Sequence, residues 1–170
     1  MLDIINSLKP FFEDNYRRIN VREFARLQKI SPPTASKILA EMNKKNLLKK
    51  EYERQYIYYY ANKDSWQFID LSRIYWKIAL EKAGLIEFIE KEFLSPVIIL
   101  FGSLSKAEAK PDSDIDLAVF TATKKEIKME KYEKLLKRKI QIFIFHKRED
   151  IKSTELLGNI LNGHKIRGHW

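Results

Sequence analysis

Cysteine is absent from the 170 residues, which excludes disulfides, thiolate zinc sites and a cysteine nucleophile. Histidine is scarce: His146, His164 and His169 are the only imidazoles, so a dedicated structural zinc site is not expected. The longest apolar stretch, around Pro96 to Phe101, is far too short to cross a bilayer. The opening MLDIINSLKPFFEDN has no basic leader ahead of a signal-peptide core. The expected location is therefore the cytoplasm, with no membrane partner.

What is present belongs to an ordered globular chain, because 45% hydrophobic and 12% aromatic residues supply a core that a disordered chain lacks. Length alone fits one domain or two small ones. The net charge of +9 favours an anionic partner, and its distribution narrows the choice. Residues 1–63 hold thirteen Lys or Arg against seven Asp or Glu, a surplus of six in about a third of the chain.

Hydrophobic spacing predicts a first helix from about Leu2 to Phe12, with Ile4, Ile5, Leu8, Phe11 and Phe12 on one face. A second is expected after Asn20 as N-cap, with Glu23 at N3 closing a capping box and Val21, Phe24, Ala25 and Leu27 facing inward. The third starts with Ser31 as N-cap and Pro32 at N1. Ala35, Ile38, Leu39 and Met42 then share its inner side, leaving Thr34, Ser36 and Lys37 outside. Leu47 and Leu48 lead into a strand, EYERQ supplies a tight connection and QYIYYY returns as a second strand. Two short helices at a tight turn followed by a hairpin suit a reader of a DNA major groove, with phosphate contacts from Lys49, Lys50 and Arg54 near the hairpin tip.

The stretch from VREFARLQKISPPTASKILAEMNKK to the hairpin, about residues 15–63, resembles the winged helix-turn-helix family of DNA-binding regulators. The resemblance implies a double-stranded DNA partner met through Thr34, Ser36, Lys37, Lys49, Lys50 and Arg54. Docking of a protein on the tyrosine-rich hairpin is the competing expectation.

Residues 64–81 read as a helical connector, capped by Asp64 or Ser65. Trp66, Ile69, Leu71, Ile74, Tyr75, Ile78 and Ala79 make it apolar over more than one face. Such breadth needs cover, which points to packing on a neighbouring domain or to a homodimer through this segment.

PVIILF reads as a buried strand leading directly into Gly102 and Ser103. Glycine at a strand exit lets backbone approach a phosphate, and the Ser103 hydroxyl with neighbouring N–H groups can donate to its oxygens. In PDSDIDLAVF, Asp114 and Asp116 are one residue apart at a strand start, so both carboxylates fall on the same side. Two carboxylates forced together repel unless a cation compensates them, and oxygen ligands suit Mg²⁺ carrying a nucleoside triphosphate. Asp114 and Asp116 are therefore the expected metal ligands and catalytic residues. Gly102 and Ser103 are the expected nucleotide contacts, with Lys106 in the following loop to meet the triphosphate.

LFGSLSKAEAKPDSDIDLAVF resembles the Gly-Ser and Asp-x-Asp signature of the nucleotidyltransferase superfamily, particularly its small prokaryotic members. In looser form the resemblance spans about residues 81–168. It implies a mixed sheet backed by helices and transfer of a nucleotidyl group to an acceptor. One departure matters: active members carry a third carboxylate on a later strand, and KIQIFIF places the neutral Gln141 there. Glu133 or Asp150 is the acid that could replace it from a neighbouring element. Residues 124–139 read as a solvated, lysine-rich helix with Ile127, Tyr132 and Leu135 or Leu136 toward a core.

The expected architecture is thus a two-domain α+β chain: a winged helix-turn-helix over 1–63, a helical connector over 64–81 and a nucleotidyltransferase-like mixed sheet with helices over 82–170. The expected function is a magnesium-dependent nucleotidyltransferase-like protein carrying a DNA-binding domain. The alternatives are a DNA-binding regulator that binds nucleotide with little turnover, and a docking partner in a toxin and antitoxin pair.

Overall fold

A computed structural model describes residues 2–123 and 125–170, excepting the side chain of Leu2. The chain forms two compact units, one of Met1–Ser72 with Ala107–Pro111 and the other of Arg73–Lys106 with Asp112–Trp170.

The first unit begins with α1 (Leu2–Glu13), whose Ile5, Leu8, Phe11 and Phe12 are buried while Ile4 is half-buried. Each fully buried phenylalanine contributes roughly 1.5–3 kcal/mol relative to its exposed state, and Phe12 meets the buried Phe68 ring at 5.2 Å. β1 (Ile19–Asn20) leads into α2 (Val21–Gln28), where Asn20 Oδ1 accepts the Glu23 N–H. The expected capping box stays half-made, because the Glu23 carboxylate turns to Arg17 at 2.7 Å. Leu27, expected inside, is 43% exposed. Lys29 in the left-handed region ends α2, and Ser31 caps α3 (Pro32–Lys44) through Thr34 N–H. Ala35, Leu39 and Met42 are the buried face of α3, with Ile38 at its half-buried margin.

β2 (Leu48–Glu53) and β3 (Tyr56–Ala61) form an antiparallel hairpin, and β1 adds to its other side, giving the order β1-β3-β2. The segment Ala107–Pro111 belongs to this unit through Asn15. That side chain is 2% exposed; Oδ1 accepts the Ala109 N–H at 2.6 Å, Nδ2 donates to Phe11 O at 2.7 Å, and the Asn15 N–H donates to Ala109 O at 2.8 Å.

α4 (Trp66–Lys82) follows, its start capped by Ser65, whose Oγ accepts the Phe68 N–H. Its buried row is Phe68, Ser72, Trp76 and Leu80, four residues apart each time. None of these was among the residues expected to make the helix apolar. Trp66, which was, is 71% exposed. No helix among the described residues is long and apolar enough to cross a membrane.

The second unit continues with α5 (Leu85–Glu92), β4 (Val97–Phe101), α6 (Ser103–Lys106), β5 (Ile115–Phe120), α7 (Glu130–Leu136), β6 (Ile140–Phe145), a 3-10 turn at Arg148–Asp150, α8 (Thr154–Leu161) and β7 (His164–Arg167). The sheet order is β6-β5-β4-β7, with β5 and β6 parallel and the other pairs antiparallel. This is a mixed sheet with helices. All five residues of β4 are buried, as an apolar strand covered on both faces requires. Val97, Ile99 and Phe101 share one core with Ala118 and Phe120, against which Phe143 and the α8 residues Leu156 and Leu157 pack. The lysine-rich helix is shorter than expected: α7 begins only at Glu130, Leu135 is 59% exposed, and Lys124 lies outside the described residues.

Candidate functional site

Antiparallel pairing sets Phe101 of β4 opposite Asp116 of β5, so the exit of one strand and the entry of the other meet at the same end of the sheet. Gly102 then turns with φ +72, a conformation that L side chains rarely adopt. A Cβ placed there would stand 2.2 Å from Asp116 Oδ2. Glycine is thus required both by the turn and by the carboxylate against its Cα.

Asp114 precedes β5 by one residue and, like Asp116, is half-buried. Burial first, and the neighbouring Asp114 charge second, push the Asp116 carboxyl up from 3.8 to about 6. The pair is a local concentration of like charge with part of its solvation removed. Parallel pairing places Gln141 of β6 beside Asp116. Its Nε2 donates to Asp114 Oδ2 at 2.5 Å, an orientation fixed by chemistry because a carboxylate accepts only from the NH₂ end of the amide. The neutral residue expected at the third position is therefore within the corner, donating where a third carboxylate would accept.

Neither proposed replacement acid reaches the corner in a free state. Glu133 accepts the Ile140 N–H at 3.0 Å and lies 3.6 Å from Lys139 Nζ. Asp150 accepts the N–H groups of His146 and Lys147 beyond the far end of β6. His146 lies five residue steps along from Gln141, about 16 Å of chain. Among the described residues no three His, Asp or Glu side chains are grouped to hold a metal ion.

Ser103 opens α6 half-exposed beside Gly102. The loop is braced from beneath: Ser105 Oγ donates to Gly102 O at 2.9 Å, and Arg73 Nε donates to Ser105 O at 2.8 Å. Lys106, expected at a triphosphate, instead donates from Nζ to Asn159 Oδ1 of α8 at 2.7 Å. Sequence reasoning missed Asn159 and Arg73; both act from more than thirty residues away, and no local spacing links them to the motif.

The residues expected to touch nucleic acid are spread over the first unit. Thr34, Ser36 and Lys37 are exposed on α3, with Thr34 Oγ1 2.8 Å from Ser31 Oγ. Arg54 sits at the hairpin tip with φ +54. Lys49 and Lys50 do not: they pair with Tyr60 and Tyr59, at the end of the hairpin remote from the tip. Lys49 Nζ is 2.5 Å from Asp64 Oδ2, which holds the Asp64 carboxyl below and the Lys49 ammonium above their ordinary ranges. Lys50 lies over the Tyr52 ring. Arg22, Arg26 and Lys29, not singled out beforehand, line an open groove of about 610 Å³ with Ala25, Ile30 and Pro32 at the turn between α2 and α3.

Residues 84–166 match the family model described as polymerase beta, nucleotidyltransferase, a match that contains Gly102, Ser103, Asp114, Asp116 and Gln141. This part of the chain is therefore nucleotidyltransferase-like. No curated protein and no solved structure gave a significant match.

Proposed function

We propose that the second unit binds a nucleoside triphosphate with one Mg²⁺ ion at the Gly102–Asp116 corner, and that the first unit is a winged helix that binds double-stranded DNA. The chain is then a nucleotide-binding DNA regulator with slow nucleotidyl transfer. The observation carrying this reading is the contact of Asp116 with the Gly102 backbone beside Asp114.

The donor set fits a single hard cation. Asp114 and Asp116 offer carboxylate oxygens, the donor type Mg²⁺ takes, and a divalent ion held by them would relieve their mutual repulsion. Bound there, it supplies neutralisation of phosphate charge and polarisation of the α-phosphoryl group. A second ion does not fit, because Gln141 presents N–H to Asp114 where another oxygen ligand is needed. Ser103 and the neighbouring backbone N–H groups are placed to donate to phosphate oxygens, and Lys106 reaches them only by leaving Asn159. Transfer would join an acceptor oxygen to the α-phosphorus, break the bond to the bridging oxygen and release pyrophosphate. Without a third carboxylate to hold the acceptor and take its proton, that step is slow.

Calorimetry with nucleoside triphosphates and Mg²⁺ tests the binding half. Wild-type protein should bind in a magnesium-dependent way and an Asp114→Ala, Asp116→Ala protein should not; equal binding by both would remove the site from consideration. Gln141→Asp tests the catalytic half, and should raise pyrophosphate release above wild type in cell extract supplying acceptors.

The DNA reading is supported by α2, the tight turn, α3 and the hairpin in sequence, with Thr34, Ser36, Lys37 and Arg54 exposed. Arg22, Arg26 and Lys29 add phosphate-binding charge at the turn. Glu41 on α3 is neutralised by Lys45 at 2.6 Å and so repels a duplex less than its sequence position implies. Duplex binding should weaken as salt rises and as Lys37 and Arg54 are changed to alanine. The cytoplasm is the compartment this reading requires. A second reading, pairing of two chains through α4, is favoured by the exposed Trp66 and Ile74; sedimentation at equilibrium decides it, with Trp66→Ala shifting a dimer to monomer.

A further inference from the structure

A pocket of about 370 Å³ lies within the first unit, at the end of the hairpin remote from Arg54. Asn15 and Ala61, both buried, form its floor. Backbone groups hold both polar ends of the Asn15 side chain, so that floor is fixed before anything enters. Tyr16 and Tyr60 supply aromatic wall. The charged groups of the lining divide into two kinds. Arg18 is 3.2 Å from Glu51 and Lys49 is 2.5 Å from Asp64, so each acid of the lining is answered by one of its cations. Lys63 is not so answered: among the described residues no carboxylate lies within ion-pair distance of its ammonium, which rests 3.9 Å from the centre of the Tyr16 ring. Lys110 brings a second ammonium to 5.8 Å from the same ring centre.

We propose that this pocket binds a small organic anion built on a planar ring, with its carboxylate or phosphate on Lys63 and its ring against the tyrosine wall. Charge sets the sign of the ligand. Three cations against two acids leave the lining positive by one, and Lys110 adds to the field, so an anion is drawn in and a metal ion or an amine is repelled. Size and shape set the rest. A recess of this volume, with aromatic wall and a small number of placed charges, is of the kind that encloses a small molecule, and aromatic side chains pack well against a flat ring. A nucleic-acid backbone needs cations spaced along an open track, whereas the unanswered ammonium of this lining is a single one above a closed floor. The Lys49–Asp64 pair is exposed and weak, so it can open to let Lys49 join Lys63 on a phosphate of higher charge. None of the lining residues belongs to the Gly102–Asp116 corner or to α3, and the proposal rests on neither nucleotide nor DNA binding.

The test uses the full chain and ligand-observed NMR with two probes that carry both ring and charge, benzoate and phenyl phosphate. Inorganic phosphate, which lacks the ring, and phenol, which lacks the charge, are titrated beside them. Both ring-bearing anions should bind saturably, and each fragment should bind weaker by about tenfold or more. Lys63→Gln should weaken both probes about tenfold, and Lys63→Arg should restore them because a guanidinium keeps the charge and the donors. Tyr16→Leu should weaken the two probes and leave inorganic phosphate as it was. Circular dichroism melts of these variants should overlay wild type, since both side chains reach solvent. Lys91→Gln on α5, which removes another exposed lysine, should change nothing. Tighter binding of benzoate assigns a carboxylate and tighter binding of phenyl phosphate a phosphate; either supports the pocket. Absence of saturable binding by both probes, undiminished binding to the Lys63→Gln protein, or inorganic phosphate binding as tightly as phenyl phosphate would overturn the proposal. The Asp114→Ala, Asp116→Ala protein should bind phenyl phosphate as wild type does; loss there, with retention in Lys63→Gln, would move the binding to the corner and overturn it as well.

Discussion

The surface of the first unit and the Asp114–Asp116 corner of the second treat charge in opposite ways. On the first, acids are matched with cations: Arg17 with Glu23, Arg18 with Glu51 and Glu53, Lys45 with Glu41, and Lys49 with Asp64. At the corner, Asp114 and Asp116 are held side by side, and the side chain that donates to Asp114 is the neutral Gln141. Matched pairs on a surface contribute little to stability, and their arrangement follows the fold. Like charges kept together cost stability, and their persistence points to a ligand that relieves them. The same side-chain chemistry therefore carries different information in the two places.

The strongest way to break this contrast is Gly102→Ala. The methyl group would meet Asp116 Oδ2 at 2.2 Å in a positive-φ turn, so the corner must open. The backbone conformation alone costs about 1–3 kcal/mol, to be read from urea denaturation, and magnesium-dependent nucleotide binding should fall beyond detection. Next is Asn15→Ala, which strips partners from Ala109 N–H and Phe11 O inside the first unit. Buried hydrogen bonds lost in this way should cost about 2–4 kcal/mol by the same measurement.

Asp116→Asn sharpens the comparison because it should act with the opposite sign. A carboxyl raised from 3.8 to about 6 by folding disfavours the ionised folded state. That penalty is absent below about pH 4, grows between pH 4 and 6, and is complete above 6. In magnesium-free buffer the asparagine protein should melt higher than wild type at pH 7, and the advantage should vanish on acidification to about pH 4. Smallest is Arg18→Ala. It removes two surface ion pairs and a guanidinium over the Tyr58 ring, and should cost about 0.5–1 kcal/mol.

Local signals carried much of the fold. Asn20 and Ser31 cap the helices that follow them because a cap involves only the next three residues. The hairpin and the apolar run of β4 were legible for the same reason, as was the adjacency of Gly102 to the acids once β4 and β5 pair. What escaped was set by distant partners. β1 is only two residues long and exists through its pairing with Tyr58 and Tyr59. The buried row of α4 includes Ser72 and passes over Trp66, which periodicity with hydrophobicity alone does not select. Lys106 and Lys49 were read as free cations; Asn159 and Asp64 engage them from far along the chain. In the site, residue identities were visible, and the orientation of Gln141 toward Asp114 was not.

The return of Ala107–Pro111 to the first unit bears on any attempt to dissect the protein. A break after Ser72 severs the backbone once and still leaves each product incomplete. Residues 1–72 lack the Ala109 amide that satisfies Asn15, while residues 73–170 keep a five-residue excursion whose fold was supplied by the missing piece. Fragment complementation, with both halves expressed together, is the form in which a split version should recover its native structure.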